Sequence, residues 1–346
     1  MSNTTEQAKR SLLQDVIAKC SDLYLPLQAT LELTYRCNLR CVHCYVDDRE
    51  SGELTFDEWK EVLDQLESAG TAYLLFTGGE ITVRDDFLNI ATQARRMGFF
   101  IALLTNCTLV THEVARTIAE LRPFVLGTSL YGATATSHEL VTKVPGSFDR
   151  TIEGIRSLIG AGLVPVVQIA VTKTNVAELP RIESLVKSLG AMSRHNVGMS
   201  PSKTGADFPF QHEPGIEELL GCSWAVDDKE LTTGSGPDIC KAGKGVCAVS
   251  PWGEVSPCIM FPLKMGNLRE SSFQSIWRLE PCAELRYLRS MRRSDLSACI
   301  NCELKAYCQR CTGSAYLEWG RMDGLSPSAC RQARRRWRLT LASEVK

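Results

Sequence analysis

Residues 28–46 read QATLELTYRCNLRCVHCYV. The first eight alternate apolar and polar side chains, the period-two pattern of a strand with one buried face. The strand runs straight into Cys37, Cys41 and Cys44, spaced C-x-x-x-C-x-x-C, so three thiolates share one tight loop at a strand's end. Three thiolates leave one iron of a cubane iron-sulfur cluster without a protein ligand, an open position for an exogenous chelator. The competing reading is a zinc site closed by His43, but a histidine between the second and third cysteines is poorly placed to complete the same tetrahedron.

Downstream of the cysteines, helix and strand patterns alternate. TFDEWKEVLDQLESAG (55–70) is amphipathic with Gly70 as a stop, and YLLFTGGE (73–80) is a strand ending in a glycine turn. DDFLNIATQARRMG (85–98) reads as a helix capped by its initial acids, followed by the strand FFIALLTN (99–106). The period repeats with a helix at 111–122, strand FVLGTSLYG (124–132), helix at 147–162, strand PVVQIAVT (165–172), helix at 178–190 and a sixth strand near SRHNVGMSP (193–201). Six strand-helix units predict a parallel α/β sheet, whose ligand site lies at the C-terminal ends of the strands. The cysteine loop and the segments TGGE, TN, SLYG and TKTN all fall at those ends.

The chain of 346 residues is 44% hydrophobic and has a formal net charge of −1, so it can bury one large core and has no global field to recruit nucleic acid or an anionic membrane. No apolar run approaches the roughly 18 residues of a membrane span, and the polar start lacks the order of a signal peptide. The expectation is a cytoplasmic protein with neither a nucleic-acid nor a membrane partner. Fifteen cysteines in such a compartment point to metal before disulfides. Nine of them lie between Cys240 and Cys330. The sequence divides into an N-terminal segment (1–25), the strand-helix region (26–202), a Gly-, Pro- and acid-rich connector (203–239) and a cysteine-rich region (240–346) expected to be organised by metal rather than by a core.

The three-cysteine loop, with Tyr45 after its last cysteine, resembles the radical S-adenosylmethionine (SAM) superfamily. The resemblance implies a partial (β/α)6 TIM-like barrel and a 4Fe-4S cluster on Cys37, Cys41 and Cys44, with SAM chelating the open iron. One electron then cleaves SAM to a 5'-deoxyadenosyl radical that abstracts hydrogen from a substrate. Thr77, Gly78, Gly79 and Glu80 resemble the motif that binds the SAM amino group, with Ile81 where the family usually has proline. By the same resemblance Asn106, Ser129, Gln168 and Asn175 are candidate SAM contacts, and Lys143 a candidate for the SAM carboxylate. Cys107 stands where relatives commonly carry glycine and reads as a small buried side chain.

CKAGKGVCAVSPWGEVSPC (240–258), CINCELKAYCQRC (299–311) and Cys330 resemble the SPASM domain, a small cysteine-rich C-terminal extension that holds auxiliary clusters. Carried over, Cys240, Cys247, Cys258 and Cys311 would hold a first auxiliary 4Fe-4S cluster and Cys299, Cys302, Cys308 and Cys330 a second. Cys308 and Cys311 are separated by two residues where the family usually has three. Cys20, Cys107, Cys222 and Cys282 are left over. Paired C-x-x-C groups also build zinc ribbons, so zinc is the competing metal. The basic end RQARRRWR (331–338) could meet an acidic peptide or redox partner, or form a solvated helix face.

Relatives with this extension mostly modify peptides. The resemblance therefore implies maturation of a ribosomally made precursor peptide by cross-linking, excision or epimerisation, with a flavodoxin- or ferredoxin-type electron donor; the N-terminal segment, 1–25, is too short for the leader-binding domain some such relatives carry, so a separate recognition protein is expected as a partner. A haem or sulfatase-type maturase is the enzymatic alternative: His138, His195 and His212 stay open as haem contacts, while Ile259 after Cys258 replaces the Cys-Asp pair of the sulfatase branch. A non-catalytic zinc-binding interaction module is the alternative of another class.

Overall fold

The computed structural model describes residues 12–46, 52–222 and 240–344. Helix α1 (Leu12–Asp22) leads into β1 (Gln28–Thr34), and then strands and helices alternate: α2 (Phe56–Ser68), β2 (Tyr73–Gly78), α3 (Phe87–Arg96), β3 (Phe100–Leu104), α4 (His112–Leu121) and β4 (Val125–Ser129). Two helices, α5 (Ala135–Thr142) and α6 (Ser147–Gly160), precede β5 (Val166–Ala170), α7 (Leu179–Ser188) and β6 (Met192–Asn196). The strands line up in the order 6-5-4-3-2-1, all parallel, with β6 as an open edge. This is a partial α/β barrel. Leu31 and Leu33 of β1, Phe76 of β2 and Leu103 of β3 bury their side chains against Trp59, Leu63, Ile90 and Ile118 of the outer helices. Each such aliphatic or aromatic side chain contributes about 1.5–3 kcal/mol.

Threonines start three of the helices. Thr55 forms a capping box with Glu58, and Thr111 and Thr134 accept from the N–H groups of Val114 and Ser137. The acidic cap expected at 85–86 is different: Asp86 precedes α3, but its carboxylate pairs with Arg84 at 2.6 Å and makes no cap hydrogen bond. Helix α5 has no counterpart in the sequence reading, because ATSHELVT lacks an apolar stripe and carries threonines of low helix propensity.

After β6 come a short 3-10 turn (Phe208–His212) and α8 (Ile216–Leu220); the rest of the expected connector, 223–239, lies outside the described residues, as do 1–11 of the N-terminal segment. The cysteine-rich region corrects one expectation, since it shares a core with the barrel. Its strand β7 (Val246–Val249) joins the main sheet parallel to β1, and β8 (Glu254–Ser256) and β9 (Gly266–Asn267) extend it antiparallel, making nine strands in one sheet. Val249, Val255, Phe273 and Trp277 belong to the barrel's own core cluster. A second small cluster gathers Phe261, Leu263, Met291 and Met322, and α9 (Ala283–Ser290), α10 (Thr312–Trp319) and α11 (Pro327–Glu344) complete the chain. The basic stretch on α11 is mostly used inside the molecule: Arg335 pairs with buried Glu213 at 3.2 Å, Arg331 lies 4.4 Å over Phe210, and Arg336 donates to the Tyr307 carbonyl. Arg334 and Arg338 of the same stretch are exposed.

Candidate active site

The parallel register delivers the cysteine loop, the glycine turn, Asn106 and Ser129 to one end of the sheet. The loop after β1 is held from several sides. Arg40 and Val42 donate their N–H groups to the carbonyls of Thr142 and Val141 at 2.9 and 3.0 Å, so α5 anchors it. Asn38 donates to Thr108 at 2.7 Å, and Asn106 donates to Asn38 at 2.9 Å while standing 3.9 Å from the Cys37 sulfur. The three thiols are electrostatic neighbours. Burial, then Cys44 and Cys37, push the Cys41 thiol up to about 12, against a hydrogen bond from the Tyr131 hydroxyl. Ligand thiols must lose their protons to bind metal, so loading such a loop releases protons. His43 sits edge-on to Tyr131 at 5.0 Å, and burial pushes its pKa down to about 4.

The glycine turn docks on the start of that loop. Gly79 and Glu80 donate their N–H groups to Thr34 and Arg36 carbonyls at 2.7 and 2.9 Å. A Cβ on Gly79 would stand 2.3 Å from the Arg36 carbonyl oxygen, and one on Gly78, at φ +137°, 2.1 Å from that of Thr34. Only glycine permits this approach. Glu80 is buried, and burial raises its pKa above the ordinary carboxyl value. Its Oε1 accepts from the Thr82 N–H, the Thr82 hydroxyl and the Thr105 hydroxyl at 3.0, 2.6 and 2.7 Å; its Oε2 accepts from the Asn106 N–H at 2.5 Å. A carboxylate has about four lone-pair sites, two per oxygen, so Oε2 keeps acceptor capacity for a ligand.

The other expected contacts separate. Ser129 and Gln168 are register partners on β4 and β5, both half-buried. Lys143 ends α5 in a left-handed turn and is exposed, with His212 as an electrostatic neighbour. Asn175 is engaged by the backbone: it accepts from Thr172 and donates to the Tyr131 and Ala170 carbonyls at 2.7, 3.0 and 3.0 Å, so both amide hydrogens are used in pinning that turn. Cys107 is wholly buried at φ +65°, and burial pushes its thiol up to about 12. Glycine adopts such a left-handed position without strain.

Sequence reading missed a polar cluster beside the loop. Glu32, buried on β1, accepts from the hydroxyls of Tyr35 and Tyr45 at 2.9 and 3.3 Å and pairs with Lys203. Lys203 also donates to the Tyr35 hydroxyl, and its N–H donates to the Tyr45 carbonyl at 2.9 Å. Burial, then the Glu32 charge, hold both phenols protonated well above the ordinary tyrosine value. The available signal was a lone acid among Gln28, Thr30 and Thr34, the positions of β1 that alternate with the apolar, helix-facing ones.

No disulfide joins any two cysteines of the C-terminal region. Eight of the nine, all but Cys282, fall into two neighbourhoods. Burial raises the Cys240 and Cys258 thiols, the latter to about 11, and Cys311 is an electrostatic neighbour of both, while Cys258 is the neighbour of buried Cys247. Burial also raises Cys308 and Cys330, and each has Cys299 and Cys302 beside it. These four thiols line one cavity of about 520 Å³. Among the described residues no three His, Cys, Asp or Glu groups could hold a single metal ion. A cavity lined by four thiols fits a cluster ligated by four cysteines. Arg310 has thiols of both neighbourhoods as electrostatic neighbours, Cys299 and Cys308 of one and Cys240 and Cys311 of the other, and its buried Nε has no hydrogen-bond partner among the described residues.

Residues 31–181 match the family described as the radical SAM superfamily, and residues 240–312 match SPASM, described as an iron-sulfur cluster-binding domain. The AdoMet-dependent heme synthase of Methanosarcina barkeri is 31% identical over 323 residues, covering 84% of this chain and 92% of that protein. The mycofactocin maturase MftC of Mycobacterium tuberculosis is 30% identical over 327 residues, covering 87% of this chain and 82% of the maturase. The crystal structure of Streptococcus suis SuiB bound to its precursor peptide SuiA superposes with a TM-score of 0.70 at 17% identity, covering 96% of this chain and 84% of SuiB, which is a likeness of fold.

Proposed function

The chain belongs to the radical SAM superfamily and carries its SPASM extension, and from that premise we propose that it matures a ribosomally made precursor peptide. When bound, SAM and a 4Fe-4S cluster supply a 5'-deoxyadenosyl radical that abstracts hydrogen, and auxiliary clusters accept or pass electrons. Cys37, Cys41 and Cys44 would hold the first cluster. Glu80 Oε2 and the carbonyls of the glycine turn would accept from the SAM ammonium, beside Asn106. Ser129, Gln168 and, from its exposed position, Lys143 remain offered to the rest of SAM. Cys240, Cys247, Cys258 and Cys311 would close one auxiliary site and Cys299, Cys302, Cys308 and Cys330 the other. The barrel, 26–202, thus does the radical chemistry and the region 240–346 handles electrons, supplied by a flavodoxin- or ferredoxin-type donor.

The observation that carries this reading is the sorting of eleven thiols into one neighbourhood of three and two of four. The maturase relative favours a peptide substrate. A second reading has its own support: the haem synthase is matched over 92% of its length, so an iron porphyrin or its precursor is the competing substrate. Anaerobic reconstitution should give about 12 irons per chain, three clusters of four, and 5'-deoxyadenosine with dithionite and SAM; the Cys37, Cys41, Cys44 triple alanine variant should give none. Zinc without iron would refute the enzyme. A mass change in a peptide encoded beside the gene, set against conversion of a porphyrin, decides the substrate.

A further inference from the structure

The thiols of the chain are not equally sheltered. Of all its cysteines only Cys302 is exposed, and Cys302 lines the cavity of about 520 Å³ together with Cys299, Cys308 and Cys330. The second quartet is therefore the one that reaches the surface. Arg293, Lys305, Arg310 and Arg334 line the same cavity, and no carboxylate among the described residues does. In a chain with a formal net charge of −1 this is a local positive field.

Part of that charge is turned inward. Arg310 donates to the Met322 and Gly324 carbonyls at 2.5 and 2.7 Å and has thiols of both quartets as electrostatic neighbours. Such a buried cation offsets the charge of thiolates; cations on the outside have no such use. Helix α11 carries the outer ones. Cys330, Arg334 and Arg338 follow one another at i, i+4 spacing and so share one face of the helix. Arg334 and Arg338 are exposed and pair with no carboxylate among the described residues, whereas Arg335 on another face is paired with buried Glu213. Trp337 and Leu341 fall on the outward face too, 40% and 43% exposed. From the cysteine segment come exposed Lys305 and, between Cys299 and Cys302, Ile300 at 46% exposure. Residues 299–311 and 330–341 hold one acid, Glu303, against seven Lys and Arg.

We propose that the face formed by Arg334, Arg338, Lys305 and Ile300 around Cys302 docks an acidic one-electron carrier protein of the ferredoxin class, whose electron enters the chain here. The proposal rests on the reading above that residues 240–346 handle electrons, and adds the place of entry and the chemistry that recognises the carrier. One electron leaves the reduced carrier and one is gained at the cluster that Cys299, Cys302, Cys308 and Cys330 would hold; no atom is transferred. Electron-transfer partners meet over small interfaces, below about 1,200 Å², and opposite charges at the rim steer the encounter. An acidic stretch of a peptide would match the charge but makes no use of an exposed thiol. From this face the way inward is built: Arg310 adjoins both quartets, and Cys247 of the first lies beside β1, the strand that ends in the three-thiol loop.

The test uses the full, anaerobically reconstituted chain with a plant-type ferredoxin as probe. Binding is measured by calorimetry and electron transfer by stopped-flow oxidation of the reduced probe. The Arg334→Glu, Arg338→Glu variant should bind about tenfold more weakly at low salt, as expected from reversing two rim charges. The difference should vanish at about 1 M salt, where the screening length is about 3 Å. Arg116→Glu, Arg181→Glu, at exposed positions of α4 and α7, makes the same change in net charge and should bind like wild type. Oxidation of the reduced probe should slow about tenfold in the first variant only, with dithionite-driven 5'-deoxyadenosine formation at the wild-type level in both. The Cys37, Cys41, Cys44 triple alanine variant should still oxidise the probe; if it binds the probe normally but no longer oxidises it, electrons enter at the three-thiol loop and the proposal is overturned. Equal binding by the two double variants also overturns it, and needs no cysteine variant to fold. Loss of polyglutamate binding in the Arg334→Glu, Arg338→Glu variant with ferredoxin unaffected would assign the face to an acidic peptide instead. Salt-dependent docking at Arg334 and Arg338 without any electron transfer would defeat the electron-handling reading and leave only a site for an acidic protein.

Discussion

Lys203→Met isolates the buried charge cluster that ties the end of the barrel to its first strand. In the native fold the side chains of Glu32 and Lys203 are 2% and 15% exposed. Without the ammonium, a carboxylate out of water keeps only two phenol donors, at 2.9 and 3.3 Å. Removing one partner of a buried pair costs about 3–5 kcal/mol, mostly the desolvation of the charge left behind. Losing the ammonium over the Tyr35 ring, 4.7 Å from its centre, adds to that. With a urea m-value of about 3 kcal/mol/M, the unfolding midpoint should fall by about 1–1.7 M. The Glu32→Gln, Lys203→Met double variant carries no buried charge and should recover most of the loss. The assay is anaerobic urea unfolding followed by tryptophan fluorescence on wild type, both singles and the double. A Lys203→Met midpoint within about 0.3 M of wild type, or a double variant no better than the single, would refute the reasoning that the cluster is a compensated buried pair.

Glu80→Gln should weaken SAM binding by a factor of about 10–100, the scale of one charge-assisted hydrogen bond, because its amide also meets the Asn106 N–H donor head-on; equilibrium dialysis with iron analysis tests this, and lost iron with unchanged SAM affinity would make Glu80 structural. His138 accepts the Tyr131 N–H at 3.2 Å, and burial pushes its pKa down to about 4, so it stays neutral when folded. The unfolded chain takes its proton near pH 6.5, so this contribution is complete above about 6.5 and is lost as pH falls from there toward 4, at up to about 1.4 kcal/mol per pH unit. Thermal midpoints from pH 7.5 to 5 should fall less steeply for His138→Gln. Arg310→Gln removes a cation beside both thiol quartets, which favours the less negative, oxidised clusters, so potentiometric EPR should show both auxiliary signals at lower midpoints and the first cluster unmoved.

Much of this fold was legible because the period-two and helical patterns of 28–190 are strong and each strand ends in a polar turn. Contacts that depend on chain closure were not legible. Helix α5 escaped because its sequence has no apolar stripe, yet its C-terminal carbonyls anchor the cysteine loop. Glu32 was visible as an acid in a strand, but its partner Lys203 lies 171 residues away and no periodicity links them. The cysteine-rich region was read as a unit without a core because its strands are four, three and two residues long. Those strands hold only as an extension of a sheet that already exists.

That extension bears on how the two halves of the site cooperate. β1 ends in the loop of Cys37, Cys41 and Cys44, and its other neighbour in the sheet is β7, which carries Cys247 opposite Ala29. Cys258, the electrostatic neighbour of Cys247, also feels the charge of Glu32 on β1. Trp252, in the turn between β7 and β8, packs its ring edge-on to Tyr35 at 5.1 Å. One strand therefore positions the three-thiol loop at its end and the first thiol quartet at its flank. A tether through a flexible linker would let the distance between them vary; a shared ladder of hydrogen bonds fixes it. Electron exchange between two centres falls steeply with their separation, so the exchange proposed above would run over a spacing that the sheet holds fixed.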